Sequence, residues 1–239
     1  MNLRVDLSPK ASYNGVVIVI DVLRSATVAA MLFERGLERL YLGPSIRRAQ
    51  TLASEKGLLL IGERDGLPPE GFNYGGSPNE LFGVDARGKS AALVSASSPL
   101  ALAQTTEAKH VLLGTFYNAG AITESAATLA TDEITVVCCG YRGEEDLDDT
   151  LCAGYLVAQL KRQFPQATLT GAALFTLSLL KAFPDPVTAL WQSRVGHRLR
   201  RLNLTEDIGI SSLVSQTAVV PKLMSQQDAQ DFYLFSAAS

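Results

Sequence analysis

Residues 16–27 read VVIVIDVLRSAT, five β-branched apolar residues closed by one acid, Asp21, with Arg24 three positions further on. A run that is apolar at every position, not at alternate ones, reads as a strand buried on both faces, the usual setting in a parallel sheet covered by helices. Further short apolar runs lie outward from it: LERLYLG (37–43), LLLIG (58–62), AALVSA (91–96), HVLLGT (110–115), ITVVCCG (134–140) and VTALW (187–191). Between them, residues 25–35, 46–56, 99–108, 117–130 and 146–163 carry helix-forming residues with apolar spacing near three and four. The alternation predicts an α/β fold, three layers in α/β/α order around a mostly parallel central sheet. No repeat, low-complexity tract or Pro/Ser linker divides the chain, so residues 1–239 are expected to form one domain. Ligands of such sheets lie beyond the carboxyl ends of the strands, which directs attention to the residue after each run.

Two segments interrupt the alternation. ERDGLPPEGFNYGGSPNEL (63–81) follows an expected strand and has neither a helical nor a strand period, so it reads as a long loop of the kind that usually carries function. From Ser193 onward the chain reads as a helix, a turn and a short terminal strand. GAALFTLSLL (171–180) suits a core helix or the interface of a homodimer, and the core reading is favoured.

Composition narrows the classes. Of 239 residues, 47% are hydrophobic and 19% charged, too apolar for a disordered chain, and a net charge of −3 gives no general attraction to nucleic acid or anionic membrane. Apolar runs fall well short of the roughly 20 residues that cross a bilayer, and MNLRVDLSPK lacks the apolar segment of a signal peptide, so a cytoplasmic location is expected. Cys138, Cys139 and Cys152 form no CxxC pattern and read as reduced, buried thiols. Two histidines, His110 and His197, poorly supply zinc chemistry or a Ser-His-Asp triad.

The residues after the runs form a consistent set: Asp21 and Arg24, Glu63 and Arg64, Ser95 with Ser97 and Ser98, Asn118, then Arg142 and the acidic cluster EEDLDD (144–149). Carboxylates converging from separate strand ends suit a hard cation such as Mg²⁺, and arginines beside them suit phosphate or sulfonate oxygens. Each has a plainer role open to it. Asp21 precedes a helix start and suits an N-cap, EEDLDD suits a solvated acidic helix N-terminus, and Glu63–Arg64 suits a surface ion pair. Three acidic strand ends together favour a site. A haloacid-dehalogenase-type phosphatase needs a second acid two residues after its aspartate, where this chain has Leu23, and no GxGxxG or GxxxxGK[ST] follows a strand.

The order IDVLRSAT, GERDGLPPEGFNYGGSP, LGTFYNAGA, CCGYRGEEDLDDTLCAG and SxxGxxLxxL…DI…VP resembles the 2-phosphosulfolactate phosphatases, the ComB-like family, from about residue 16 to residue 221. The resemblance implies an α/β fold and Mg²⁺-dependent hydrolysis of 2-phosphosulfolactate to sulfolactate and phosphate, a step toward coenzyme M. Carried over by position, it marks Asp21, Arg24, Glu63, Arg64, Ser77, Asn118 and Asp149. Three positions depart from the family pattern. Ser97-Ser98-Pro99 stands where Asn-Gly-Thr is usual, Gly76 where Asn is usual, and Asp148 where Glu is usual. The first two remove side-chain amides from the expected substrate pocket.

The expectation is therefore metal-assisted phosphate-ester hydrolysis, with Asp21, Glu63 and Asp149 holding Mg²⁺. Asp21, Arg24 and Asp149 are the catalytic candidates, with Asp21 as nucleophile or as metal ligand. Arg64, Ser77, Ser95, Ser97, Asn118 and Arg142 bind a small phosphorylated and sulfonated acid. Two alternatives stand beside it, a phosphatase for another small phosphorylated hydroxy acid and a non-catalytic anion-binding relative.

Overall fold

The computed structural model describes residues 1–10, 12–64, 66–225 and 232–237. Its strands form a single sheet in the order β4 (Leu59–Gly62), β5 (Ser90–Val94), β3 (Arg39–Gly43), β10 (Tyr233–Ala237), β9 (Pro221–Ser225), β6 (His110–Gly114), β2 (Val16–Ile20), β7 (Glu133–Cys138), β1 (Asn2–Asp6), β8 (Thr168–Leu169). Neighbours within β4-β5-β3 and within β6-β2-β7-β1-β8 run parallel. The antiparallel pair β9–β10 joins these two blocks, β10 against β3 and β9 against β6. The α/β architecture and its mostly parallel sheet are as the sequence predicts.

Burial explains the opening run. All five residues of β2 are buried, Val16, Ile18 and Ile20 in one core and Val17 and Val19 in another. The first core is closed by α5 (Ala119–Leu129) and α6 (Leu147–Gln163). The second joins β2 and β6 to Leu40 and Leu42 of β3, Ile61 of β4 and Leu93 of β5, across the helix α1 (Ser25–Glu34). Residues 25–33 of α1 are buried without exception, because the helix lies on β6 and β9 and is itself covered by α3 (Pro78–Leu81). Because both blocks share that core, the carboxyl ends of β2, β4, β5 and β7 arrive at one place.

Four differences from the sequence reading have local causes. VTALW (187–191) is not a strand but lies in the helix α8 (Pro186–Gln192); Asp185 caps it by accepting from the Val187 N–H at 3.1 Å, and Pro186 begins it, both helix-start signals. Residues 99–108 yield only the short helix α4 (Ser98–Leu102). GAALFTLSLL belongs to α7 (Gly171–Ala182), one face of which packs on the first core through Ala172, Ala173, Leu177, Leu179 and Leu180, as the core reading expects, while Leu174 and Phe175 on the other face are 54% and 52% exposed, which it does not. Strands β1 and β10 were not marked by any long apolar run. Among the described residues no helix is long and apolar enough to cross a membrane.

The acidic cluster begins α6 but is solvated only at Glu144 and Glu145; its three aspartates are buried. Asp146 is buried and caps α6, its Oδ1 accepting from the Leu147 N–H at 2.9 Å. The same carboxylate accepts from the N–H groups of Arg194 and Val195, at 3.0 and 3.1 Å, where α9 (Arg194–Arg201) begins. One side chain thus holds two helix N-termini together. Asp146→Ala should lower the free energy of unfolding by about 2–4 kcal/mol, the loss of a cap plus orphaned buried amides, read from urea denaturation.

Candidate active site

The strand ends open onto a cavity of about 340 Å³. Asp21 follows β2, Glu63 and Arg64 follow β4, Ser95 and Ser97 follow β5, Tyr141 and Arg142 follow β7, and Val195, Arg198 and Leu199 come from α9. Arg24, one turn beyond Asp21, completes four guanidinium groups on a wall that carries two carboxylates, Asp21 and Glu63. The balance favours an anion.

Asp21 is buried, and both its oxygens are engaged. Oδ1 accepts at 3.2 Å from the N–H of Ser25, the first residue of α1, and Oδ2 accepts from the Ser98 hydroxyl at 2.6 Å. With the Ser98 proton committed to the carboxylate, the neighbouring Ser25 hydroxyl is the donor to Ser98 Oγ. The expected N-cap role is not what Asp21 performs, since Arg24 holds the N-cap position without a side-chain bond; the contact with the Ser25 N–H instead fixes Asp21 against the cavity.

Asp149 stands behind Asp21. Its Oδ1 accepts from the Val22 N–H at 2.8 Å and its Oδ2 from the Gly140 N–H at 2.9 Å, so one carboxylate ties the loop after β2 to the loop after β7. Gly140 has φ +64°, and a Cβ there would collide with the Glu144 carbonyl, so the tight Tyr141–Glu144 turn needs glycine. Asp148 is also buried, and its Oδ1 has no hydrogen-bond partner. Burial first, then the neighbouring carboxylates, push both acids well above the ordinary carboxylate range.

Arg24 is buried, and Nη1 donates to Asp207 Oδ2 at 2.8 Å. Asp207 lies on α10 (Thr205–Ser211) and is fully buried; its Oδ1 accepts from the Ser77 hydroxyl and from the Asn79 N–H, the latter at 3.1 Å. Ser77 also caps the short helix α3 (Pro78–Leu81), accepting from the Glu80 N–H. Glu63 accepts from the Gly66 N–H, and its Oε2 lies 3.4 Å from Arg198 Nη2 and 4.0 Å from Arg24 Nη2.

The expected residues therefore divide. Asp21, Arg24, Glu63, Arg64, Ser95, Ser97 and Arg142 line the cavity, and Ser77 reaches it through Asp207 and Arg24. Asn118 lies away from the wall: its Oδ1 accepts from the Thr115 N–H and its Nδ2 donates to the carbonyls of Leu113 and Val219, so it braces the turn after β6 and the C-terminal segment. Asp21, Glu63 and Asp149 do not meet as a set, since Glu63 faces arginines while Asp149 faces backbone amides. Among the described residues no three His, Cys, Asp or Glu side chains are grouped to hold a metal. The donor chemistry instead matches a Mg²⁺ taken by one wall carboxylate, water and a substrate oxygen. Asp21 would offer that carboxylate, and the buried Oδ1 of Asp148, an acceptor without a hydrogen-bond partner, is compatible with a cation nearby.

The 2-phosphosulpholactate phosphatase family model matches residues 2–226. The chain belongs to this family. A probable 2-phosphosulfolactate phosphatase of Thermus thermophilus is 36% identical over 93% of this chain and 94% of its own. Proteins of the same description from Deinococcus radiodurans and Carboxydothermus hydrogenoformans are 34% and 30% identical, covering 95% and 89% of this chain and 95% and 88% of their own.

Three residues of this family member escaped the sequence reading. Asp207 lies in the DI pair and Arg198 within SxxGxxLxxL, so both motifs were visible while the role of the individual side chain was not. Ser98 was placed beside Ser95 and Ser97 at the strand end, but only contact geometry singles it out as the partner of Asp21. The three cysteines are free and buried as expected, with their thiols pushed up by burial, which keeps them protonated.

Groups whose folded pKa is raised contribute stability that is complete below their unfolded value, about 3.9 for Asp, and that is lost as pH rises through the folded value. Asp148 and Asp149 should therefore withdraw stability from the metal-free protein as pH rises above about 4, so the melting temperature of Asp148→Asn, read by differential scanning fluorimetry, should gain on that of the wild type over that range. Asp149→Asn should do the opposite of stabilise, because an amide nitrogen would face one of the two N–H donors, at a cost of about 2–3 kcal/mol.

Proposed function

We propose that this protein is a Mg²⁺-dependent phosphatase that hydrolyses 2-phosphosulfolactate to 3-sulfolactate and phosphate, the reaction type that leads toward coenzyme M, and that it works in the cytoplasm on a small acid. The observation that carries the reading is the cavity wall, which Arg24, Arg64, Arg142 and Arg198 share with an aspartate fixed on both oxygens. The substrate bears phosphate, sulfonate and carboxylate, three anions that a guanidinium fork recognises through paired N–H donors. The names of the relatives supply the substrate, and the excess of arginine supplies a physical reason for it.

Asp21 would hold the ion, and Mg²⁺ when bound would offset charge on the phosphoryl oxygens. The remaining steps fall to the chain's own residues. Arg24, buried and oriented by Asp207, presents its remaining N–H groups to the phosphoryl oxygens, where charge gathers as the ester bond breaks. The more exposed Arg64 and Arg142 meet the outer anionic groups. Leu23, Ile46, Val195 and Leu199 on the wall limit the water around the reacting bond. Water adds its oxygen to phosphorus and gives up one proton, the bond from phosphorus to the C2 oxygen breaks, and that oxygen takes up a proton from solvent to leave as the hydroxyl of sulfolactate.

Asp21→Asn should lower turnover of 2-phosphosulfolactate at least a hundredfold, roughly the loss expected for a charge-stabilising group, with an unchanged circular dichroism spectrum. It should also remove the rise in melting temperature that Mg²⁺ gives the wild type. Retained Mg²⁺-dependent phosphate release in this variant would overturn the assignment of Asp21.

A second reading keeps the chemistry and changes the acid. Ser98 is spent on Asp21, and Ser95 and Ser97 supply hydroxyls to the wall where the family usually has an amide. A panel of 2-phospholactate, phosphoglycolate and 2-phosphosulfolactate separates the two: a preference of tenfold or more for 2-phosphosulfolactate in kcat/KM supports the first, and the reverse order supports the second.

A further inference from the structure

We infer that Asp207 is the positioning residue of the site, acting through Arg24, and that together with Ser77 it makes anion binding depend on the C-terminal helix α10. The inference rests on Arg24 meeting the anionic substrate as proposed above. A buried guanidinium left unpaired is costly, and a single carboxylate that pairs it at one edge leaves its other N–H groups free to act. Asp207 is built for this task. Its side chain is fully buried, its Oδ2 takes Arg24 Nη1 at 2.8 Å, and its Oδ1 is occupied by the Ser77 hydroxyl and the Asn79 N–H. With both oxygens held, the carboxylate cannot swing, so Nη1 of Arg24 is tied to a fixed point while Nη2 lies 4.0 Å from Glu63, on the side of the cavity.

The contacts come from three distant parts of the chain. Arg24 follows β2, Ser77 and Asn79 end the long loop after β4, and Asp207 sits on α10, which packs against α3. The loop 63–81 and the C-terminal helices are thereby fastened to each other through the same carboxylate that aims the arginine. Ser77, Arg24 and Asp207 are all buried at this junction.

Titration calorimetry with inorganic phosphate on the full-length protein, with and without Mg²⁺, tests the inference without assuming turnover. Asp207→Asn keeps the size of the side chain and removes its charge; it should weaken phosphate binding about thirtyfold or more, as expected for breaking one side of a buried charge pair. Arg24→Ala should weaken it at least as much, and the double variant should bind no worse than Arg24→Ala alone, since a residue that acts through Arg24 has nothing left to act on. Ser77→Ala should weaken binding about threefold, an effect absent in the Arg24→Ala background, and it carries the same test if Asp207→Asn does not fold. Wild-type affinity in Asp207→Asn or in Arg24→Ala would overturn the inference, as would losses that multiply in the double variant. The coupling between Asp207 and Arg24 with no release of phosphate from 2-phosphosulfolactate would leave this inference standing and remove the phosphatase reading instead.

Discussion

The two hydrogen bonds of Asp149 are the constraint on which the site depends. Parallel strands deliver their carboxyl ends to one edge of a sheet, but nothing in the ladder itself sets how the chain leaves each strand. Here one carboxylate takes the Val22 N–H and the Gly140 N–H, at 2.8 and 2.9 Å, and so sets the exits from β2 and β7 relative to each other. Asp21 lies one residue before the first of these amides, and Arg142 two residues after the second. The acid and one of the four arginines of the cavity are therefore held in relation by a residue that does not line the cavity. A buried carboxylate is an expensive means of doing this, as the raised proton affinity of Asp149 indicates.

Polar brackets of this kind recur. Asp146 joins the starts of α6 and α9, Asn118 joins the turn after β6 to the segment before β9, and Asp207 joins Arg24 to the loop that ends at Ser77. Each uses a short polar side chain against backbone N–H or carbonyl groups, a hydroxyl or one guanidinium, at a place where two segments meet. Apolar packing is non-directional and tolerates small shifts, whereas a hydrogen bond loses strength over a few tenths of an ångström. The division of labour follows: the two apolar cores hold the blocks together, and the polar brackets determine where the functional side chains stand.

Much of this frame was legible from periodicity. The run at 16–20, the helices at 46–56 and 146–163 and the irregular loop after residue 62 all follow from local signals of burial, capping and turn chemistry. VTALW misled because five apolar or β-branched residues fit a strand and a buried helix equally well, and only Asp185 and Pro186 before it distinguish them. The strand-end acids were visible as a group, but their partners were not. Whether Glu63 faces a cation or an arginine, and whether Asn118 faces ligand or backbone, depends on segments far away in the chain. Asp207 illustrates the limit, since a carboxylate on a short C-terminal helix gives no local sign that it will meet Arg24, 183 positions earlier.

The hairpin of β9 and β10 has a consequence for the order of assembly. It lies between β3 and β6 in the sheet, yet it is made of residues after 220, so Tyr233 pairs with Leu42 and Phe235 with Leu40 across nearly the whole chain. During synthesis the β4-β5-β3 ladder can form within the first hundred residues, and the other block once β8 has emerged, but neither can be joined to the other through the sheet until the hairpin leaves the ribosome. The Leu40 edge would meanwhile present unpaired strand backbone to solvent and to other chains. Closing that edge and bringing both blocks to their final separation are the same event, so the cavity and the protection against aggregation should appear together, at the end.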